Sequence, residues 1–266
     1  MLASARANAY VVVLLLLSVG VLLPSSSAAA TGGGGLGPAA SPSSSPSEAP
    51  TSTTTTPASN LSTFGTVQPG NGTVTASGNG ISIASRESAI LLQSLRFTGT
   101  VPTIAAGQVI EIQRRGHETG GAWANTAHTT AKPNGSFAIV WHANHIGRFQ
   151  FRAVSGAGTA ARAAGASPSV TAIVYRPAIA TWYSLNGSST ACAETLRPST
   201  LGVANRTLPC GTMVSLYYQG RTIVVPVIDR GPYANHADWD LTEATAKKLG
   251  TLQAGIATIG AVSLPG

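Results

Sequence analysis

The acidic residues of this chain are few and are concentrated near its C-terminal end. The 266-residue sequence has nine Asp and Glu, and its only three Asp, at Asp229, Asp238 and Asp240, fall within twelve residues. Glu194 and Glu243 bring the C-terminal segment to five of the nine acids. Cleavage of a glycosidic bond requires a carboxylic acid that protonates the leaving oxygen. The segment is therefore a candidate site for acid–base chemistry on a glycan.

A β-rich run positions the first of these acids. Residues 222–228 read TIVVPVI and lead directly into Asp229-Arg230-Gly231-Pro232, which predicts a strand that ends in a sharp turn. A carboxylate beside an arginine at such a turn can form an internal charge-assisted hydrogen bond. Asp229 thus has two interpretations, as a residue that holds the fold or as a catalyst, and we favour the structural one.

A helix is predicted to position the last acid. Residues 240–250, DLTEATAKKLG, form an amphipathic pattern that ends at Gly250. Asp240 occupies the predicted N-cap, a place where Asp is common for structural reasons. Spacing alone does not separate a cap from a catalyst.

The two cysteines also lie in this segment. Cys192 and Cys210 are the only Cys in the chain, and neither has a His or another Cys at metal-ligand spacing. A lone pair in one small exported domain predicts a disulfide rather than a metal site or a reactive thiol.

Six blocks in order give the C-terminal segment a family resemblance. They are ATWY at 180–183, TACAE at 190–194, GVANRTLPCGT at 202–212, VIDRGPY at 227–233, WDLT at 239–242 and AKKLG at 246–250. In order and spacing they resemble the RlpA-like (rare lipoprotein A) double-psi β-barrel family, which shares its barrel with expansins and barwin-like proteins. We expect this barrel, six-stranded with a short helix, over residues 177–266.

The resemblance implies a lytic transglycosylase of peptidoglycan that needs no metal or cofactor. It implies Asp240 as the acid–base residue and Glu194 as its partner or a substrate contact. The position of Asn205 holds His in many relatives, and Asn cannot titrate near neutrality. A non-catalytic, expansin-like wall-binding or wall-loosening protein therefore remains the alternative. The residues expected to contact substrate are Tyr183, Asn205, Asp229, Arg230 and Asp238.

The N-terminal part predicts export. Residues 1–30 combine a basic start, an apolar run of about fifteen residues and a small-residue end, as in a secretory signal peptide. A retained membrane anchor is the alternative, although the run is shorter than the ~20 residues of a bilayer span. Residues 31–76 are rich in Ser, Thr, Pro and Gly and predict a disordered linker. We expect a secreted protein that acts in the cell wall.

Residues 77–176 have the short, alternating runs of an all-β domain. Alternation is clear at 109–114 and at 148–152, where Phe149 and Phe151 share a face. An immunoglobulin-like β-sandwich is the default fold for this spacing. His142 and His145 lie at a strand end, where their spacing does not align them for a metal. Strands are predicted at 89–98, 108–114, 121–130, 135–142, 147–154 and 169–175.

The net charge of +7 is uneven along the chain. Residues 71–176 hold nine Arg or Lys against three Glu, whereas the C-terminal segment is nearly neutral. On an exported protein this suggests an anionic wall polymer or a membrane surface as partner, or simply solubility. No motif for nucleic-acid binding is present. The partner that we expect is peptidoglycan or another cell-wall polysaccharide.

Overall fold

The computed structural model describes residues 64–156, 165–234 and 236–264. The predicted signal peptide and most of the predicted linker lie outside these residues. Fifteen strands and one α-helix, α1 (Glu243–Leu249), are present in the described part. No helix among the described residues has the length and apolar character needed to cross a bilayer. The strands are β1 (Gln68–Pro69), β2 (Thr73–Gly78), β3 (Ile81–Arg86), β4 (Ser88–Ile90), β5 (Ser94–Thr100), β6 (Val109–Arg115), β7 (Ala124–Thr130), β8 (Ser136–His142), β9 (Gly147–Ser155), β10 (Val170–Tyr183), β11 (Val203–Ala204), β12 (Met213–Tyr218), β13 (Arg221–Asp229), β14 (Trp239–Thr242) and β15 (Ala257–Ser263).

Two sheets enclose the core of the N-terminal β domain. One has the order β2-β3-β5-β8, and the other runs β4-β10-β9-β6-β7. Their inward residues alternate with outward polar ones, and the rings of Phe97 and Phe151 meet between the sheets at 4.8 Å. The immunoglobulin-like arrangement predicted for this domain remains a prediction.

Six strands close into a barrel in the C-terminal domain. Their order is β10-β15-β12-β13-β11-β14, and β14 pairs again with β10 to complete the circle. Strand β13 is buried along most of its length, in keeping with its run of Val and Ile, and helix α1 contributes Leu249 to the same core. The predicted all-β class with a six-stranded barrel and one short helix is confirmed for this domain.

The long strand β10 belongs to both domains. Its first half pairs with β9 and β4, and its second half pairs with β15 and β14. Between the two halves, the buried hydroxyl of Tyr175 lies 3.0 Å from Ser215 Oγ on barrel strand β12. Burial raises the pKa of Tyr175 to about 12, so this hydroxyl stays protonated.

Several elements differ from the sequence prediction. Residues 64–76, assigned to the linker, contain β1 and part of β2, because Ala76 packs into the core and β1 pairs with barrel strand β13. The predicted strand at 89–98 is two strands, since the chain turns between them with Leu92 at φ 69°. The helix begins at Glu243 rather than at Asp240, which lies in β14.

Candidate active site

Four neighbouring barrel strands align the side chains at the centre of the site. Thr181 on β10 is paired with Asp240 on β14, Asp240 with Ala204 on β11, and Ala204 with Asp229 on β13. Neighbouring strands lie about 4.8 Å apart, so the backbones of the two Asp are roughly 9.6 Å apart, with Ala204 between them. The small alanine side chain leaves the space above it open.

That space is a cleft of about 290 Å³. Both Asp line it, and large side chains with exposed surface, among them Trp182 and Tyr233, contribute to its wall. Aromatic faces of this kind can stack on a sugar ring. The lining residues are Thr181, Trp182, Tyr183, Leu185, Ala204, Asp229, Arg230, Gly231, Pro232, Tyr233, Ala234 and Asp240.

Asp240 has the environment of a proton donor. Its side chain is half-buried, and Thr181 Oγ1 donates a hydrogen bond of 2.7 Å to its Oδ1. Burial raises the pKa of Asp240, the Thr181 hydrogen bond lowers it, and the charge of Asp229 raises it again, with a net rise. A carboxyl shifted in this direction stays protonated at higher pH than a free Asp.

Asp229 is held by the backbone. Its Oδ1 accepts hydrogen bonds from the N–H groups of Ala191, at 2.9 Å, and of Arg230, at 2.8 Å. The Arg230 guanidinium instead donates to the carbonyl oxygens of Asn205 and Asp229, at 3.3 and 3.4 Å. The side-chain hydrogen bond predicted between Asp229 and Arg230 is thus replaced by bonds from each side chain to backbone groups. Gly231 at φ 126° then allows the chain to turn after β13.

Tyr183 completes the polar wall of the cleft. It follows Thr181 by two residues on β10, so both side chains lie on the same face of the strand. Its hydroxyl is buried and has no hydrogen-bond partner of ordinary geometry among the described residues. Burial and the charges of Asp229 and Asp240 raise the pKa of Tyr183. This phenol remains a hydrogen-bond donor throughout the physiological range.

Glu194, the predicted partner of Asp240, lies outside the cleft lining. Its side chain is exposed, and its backbone pairs with Thr190 in the loop after β10. The carboxylate that the structure brings into the cleft with Asp240 is that of Asp229. Sequence order does not distinguish Asp229 from Glu194 as this carboxylate, because both precede Asp240 in the chain. The pairing of β11 with β13 and β14 brings Asp229 to the cleft.

The predicted disulfide between Cys192 and Cys210 is present, with a Cα–Cα distance of 5.7 Å. It links the loop after β10 to the loop before β12. Ala191, next to Cys192, supplies one of the N–H groups that hold Asp229. The bond therefore stabilises the loop that positions a cleft carboxylate.

Known proteins resemble the barrel part of the chain. Residues 177–261 match the family model described as "Lytic transglycolase". The segment is also similar to a probable endolytic peptidoglycan transglycosylase RlpA of Treponema pallidum, with 40% identity over 29% of this chain and 24% of that protein. A protein of the same name from Aquifex aeolicus is 36% identical over 31% of this chain and 38% of its own length. The C-terminal domain is thus similar to the RlpA proteins.

The similarity to the RlpA proteins covers only part of this chain and only part of each relative. The chain spans about a quarter to two fifths of the length of these two curated relatives. Among solved structures, a mutant Clavibacter michiganensis expansin in complex with cellohexaose matches 34% of this chain and 50% of that chain, with 24% identity and a TM-score of 0.30. That TM-score is too low to carry an argument about function.

Two predicted substrate residues of the RlpA-like barrel line a different cavity. Asn205 and Asp238 contribute to a cavity of about 420 Å³ that also contains Arg206 and Trp239. Asn205 Oδ1 accepts from the backbone N–H groups of Thr207 and Leu208, at 3.1 and 2.9 Å. The side-chain carbonyl of Asn205 thus stabilises its own turn.

Asp238 is held at the edge of the RlpA-like barrel. Its Oδ2 accepts a hydrogen bond of 2.9 Å from the backbone N–H of Ile179. This bond adds to the pairing between β14 and β10, so the residue has a visible structural role. Within the described residues, no group of three or more His, Cys, Asp or Glu is arranged to hold a metal ion.

Sequence reasoning missed Thr181 and Ala204. Thr181 lies in the ATWY block, two residues before Tyr183, and the period of a strand would have placed the two hydroxyls on one face. Ala204 has no chemical signal in the sequence. Its importance comes from its position between two Asp in the sheet.

Proposed function

We propose that this protein is exported and cleaves peptidoglycan glycan strands as a lytic transglycosylase, with Asp240 as the acid–base residue. The observation that carries the proposal is the half-buried Asp240, whose pKa is raised, in a cleft shared with Asp229 and Tyr183. The names of the RlpA relatives and the description of the family model support the same reaction class. The Cys192–Cys210 disulfide is in keeping with an oxidising compartment.

In this reaction Asp240 first acts as an acid. Its proton goes to the glycosidic oxygen as the bond from that oxygen to C1 of the muramyl residue breaks. The resulting carboxylate then takes the proton of the C6 hydroxyl, whose oxygen forms the new bond to C1 and closes an anhydro ring. Water is not consumed, and Asp240 ends the cycle protonated, because the proton that it takes from the C6 hydroxyl replaces the one that it gave to the glycosidic oxygen.

Asp229 and Tyr183 assist without exchanging protons. The fixed negative charge of Asp229 stabilises the positive charge that develops at C1, because its carboxylate is already oriented by two backbone N–H groups. The Tyr183 hydroxyl, buried behind the cleft wall, keeps its proton beside the charges of Asp229 and Asp240 and supports that wall. Glu194 is outside this mechanism, although its exposed side chain can contact a longer glycan at the rim.

The test is digestion of purified peptidoglycan sacculi, with the soluble products identified by mass spectrometry. Anhydro-muramyl products are expected, and Asp240→Asn should reduce their rate by about 10²–10⁴-fold, the usual contribution of general acid–base catalysis. Glu243→Gln is the matched control, because Glu243 is bound to Ser184 Oγ outside the cleft. Asp229→Asn should also impair the reaction, whereas Glu194→Gln should not. Products with reducing ends would indicate a hydrolase instead.

A non-catalytic wall-binding protein is the second candidate. It is favoured by Asn205, which cannot titrate and whose carbonyl is occupied by its own turn. In that case the protein would sediment with sacculi, release no soluble fragments and bind equally well as Asp240→Asn. This outcome would contradict the transglycosylase proposal.

A further inference from the structure

Two arginines meet over one tryptophan on the outer face of the N-terminal β domain. The guanidinium carbons of Arg115 on β6 and Arg152 on β9 lie 4.8 and 4.2 Å from the ring centroid of Trp123. We call these three residues the arginine clamp. It lies on the sheet β4-β10-β9-β6-β7, in a different domain from the cleft.

Glutamines, not carboxylates, hold the two guanidinium groups in place. In the register of β6 and β9, Arg115 is opposite Gln150 and Arg152 is opposite Gln113. Arg152 donates from Nε and Nη2 to Gln113 Oε1, at 2.9 and 2.8 Å, and Arg115 donates in the same way to Gln150 Oε1. A neutral acceptor orients a guanidinium and leaves its positive charge uncompensated.

The clamp retains guanidinium N–H donors without an acceptor in the described part of the chain, which indicates an anionic ligand. Each guanidinium has five N–H groups, and two are used here, so three on each arginine have no acceptor among the described residues. The one ion pair found in the described part of the chain joins Glu118 to the neighbouring Arg114 at 2.9 Å, so that carboxylate is already engaged. Burial and the charge of Arg115 lower the pKa of Arg152; an arginine nevertheless stays charged.

We propose that the arginine clamp binds the anionic groups of an acidic polysaccharide or polyol polymer, the shared chemistry being an oxyanion repeated along a flexible chain. Paired guanidinium forks match the two oxygens of a phosphodiester or carboxylate. Trp123 supplies an apolar floor between the charges. The site lies apart from the cleft and does not depend on the catalytic proposal.

A polymer fits this surface better than a membrane does. The outward side chains next to the clamp on β6 and β9 are Gln113 and Gln150, and Trp123 is half-buried against the two guanidinium groups. Glu111 and the partly exposed Val109 lie farther along β6. Insertion into a bilayer interface uses projecting apolar side chains, and the clamp offers none. A linear polymer can instead lie along the face and place successive charges against it.

Binding of the full chain is measured by isothermal titration calorimetry with four probes: poly(glycerol phosphate), polygalacturonate, neutral dextran and vesicles of phosphatidylglycerol. The first carries phosphodiesters and the second carboxylates, so a comparison of their affinities identifies the oxyanion that the clamp prefers. The double variant R115Q/R152Q should bind the preferred polymer about tenfold to a hundredfold more weakly, because each arginine provides charged hydrogen bonds. Dextran should not bind.

The matched control is R86Q/R96Q. Arg86 and Arg96 are exposed on the opposite sheet, and their replacement removes the same net charge. The control should keep affinity within about twofold of the original chain, as expected for distant exposed charges. R115K/R152K keeps the charge and provides a second test if R115Q/R152Q does not fold, which thermal unfolding will reveal. It should bind more weakly than the original chain, since lysine lacks the planar fork.

Several results would overturn the proposal. Equal losses in R115Q/R152Q and R86Q/R96Q would mean that only overall charge matters. Full affinity in R115K/R152K would exclude a role for the guanidinium forks. Tighter, clamp-dependent binding to the vesicles than to either polymer would assign the surface to a membrane, and binding to none of the probes would leave the clamp a structural feature.

Discussion

Removal of the Cys192–Cys210 disulfide should destabilise the barrel by an amount that its loop length sets. The two Cys are 18 residues apart in the sequence. The loss of loop-closure entropy in the unfolded chain then corresponds to ~3 kcal/mol at room temperature. Neither Cys is fully buried, so replacing both with Ala removes little packing. The double variant Cys192→Ala/Cys210→Ala should therefore lose about this free energy of unfolding.

The assay is equilibrium unfolding in urea, followed by far-ultraviolet circular dichroism. For a typical dependence of roughly 2 kcal/mol per molar urea, a loss of ~3 kcal/mol lowers the midpoint by about 1.5 M. Reductant should lower the midpoint of the original chain to the same value. The double variant should be insensitive to reductant, which separates the effect of the bond from any effect of the alanines.

A small effect would refute this reasoning. If peptide mapping without reductant finds the bond and the double variant still loses less than about 1 kcal/mol, the loop must already be restricted in the unfolded chain. The loss of catalysis is a separate readout. Because Ala191 N–H binds Asp229 Oδ1, a loosened loop should lower the rate of glycan cleavage even under conditions in which the barrel remains folded.

The hydroxyl of Thr181 stabilises the charged form of Asp240, so Thr181→Val should raise the pKa of Asp240 further. Initial rates of glycan cleavage across a pH series should then show the alkaline limb of the profile at higher pH. Since burial raises the pKa of Asp240 in the folded protein, its ionisation disfavours folding at neutral pH. Asp240→Asn should therefore have a higher melting temperature than the original chain at neutral pH, and the difference should vanish as the pH falls below the unfolded-state value of about 3.9. Tyr175→Phe leaves Ser215 Oγ without its partner and should cost about 1–3 kcal/mol in urea unfolding. In a double-mutant cycle, Tyr175→Phe with Ser215→Ala should lose less than the sum of the single changes.

Alternation of apolar and polar residues is sufficient to predict a strand when one face of that strand is buried. The alternation around Phe149 and Phe151 predicts β9 to within a residue at its end, and the alternation at 109–114 predicts β6. Strands β7 and β8 are predicted instead from β-rich runs between turn residues. Alternation failed for β2 and β3, whose Ser, Thr and Gly have the composition of a linker. In β2 the buried residue is the small Ala76, and in β3 the alternating Ile81 and Ile83 form only a short apolar pattern before Ala and Ser.

The start of helix α1 illustrates a different limit. The sequence predicts Asp240 as the N-cap, and Thr, the residue type at position 242, is also a common N-cap. In the structure the Thr242 side chain accepts the hydrogen bond of Thr245 N–H and caps the helix. Asp240 is instead drawn into β14, because that strand closes the barrel by pairing with both β10 and β11. A long-range pairing thus decides between two locally equivalent residues.

The same pairing explains why the two cleft carboxylates can have different roles. With Ala204 between them, the backbones of Asp229 and Asp240 are about two strand spacings apart. Asp229 lies at the end of β13, where the chain turns and backbone N–H groups become available to it. Asp240 lies within β14, where the backbone N–H groups are used in the sheet and one hydroxyl reaches its side chain. The position of each residue along its strand therefore gives Asp229 two backbone donors and gives Asp240 a half-buried site that raises its pKa. A larger side chain at Ala204 would close the space in which a sugar must meet both.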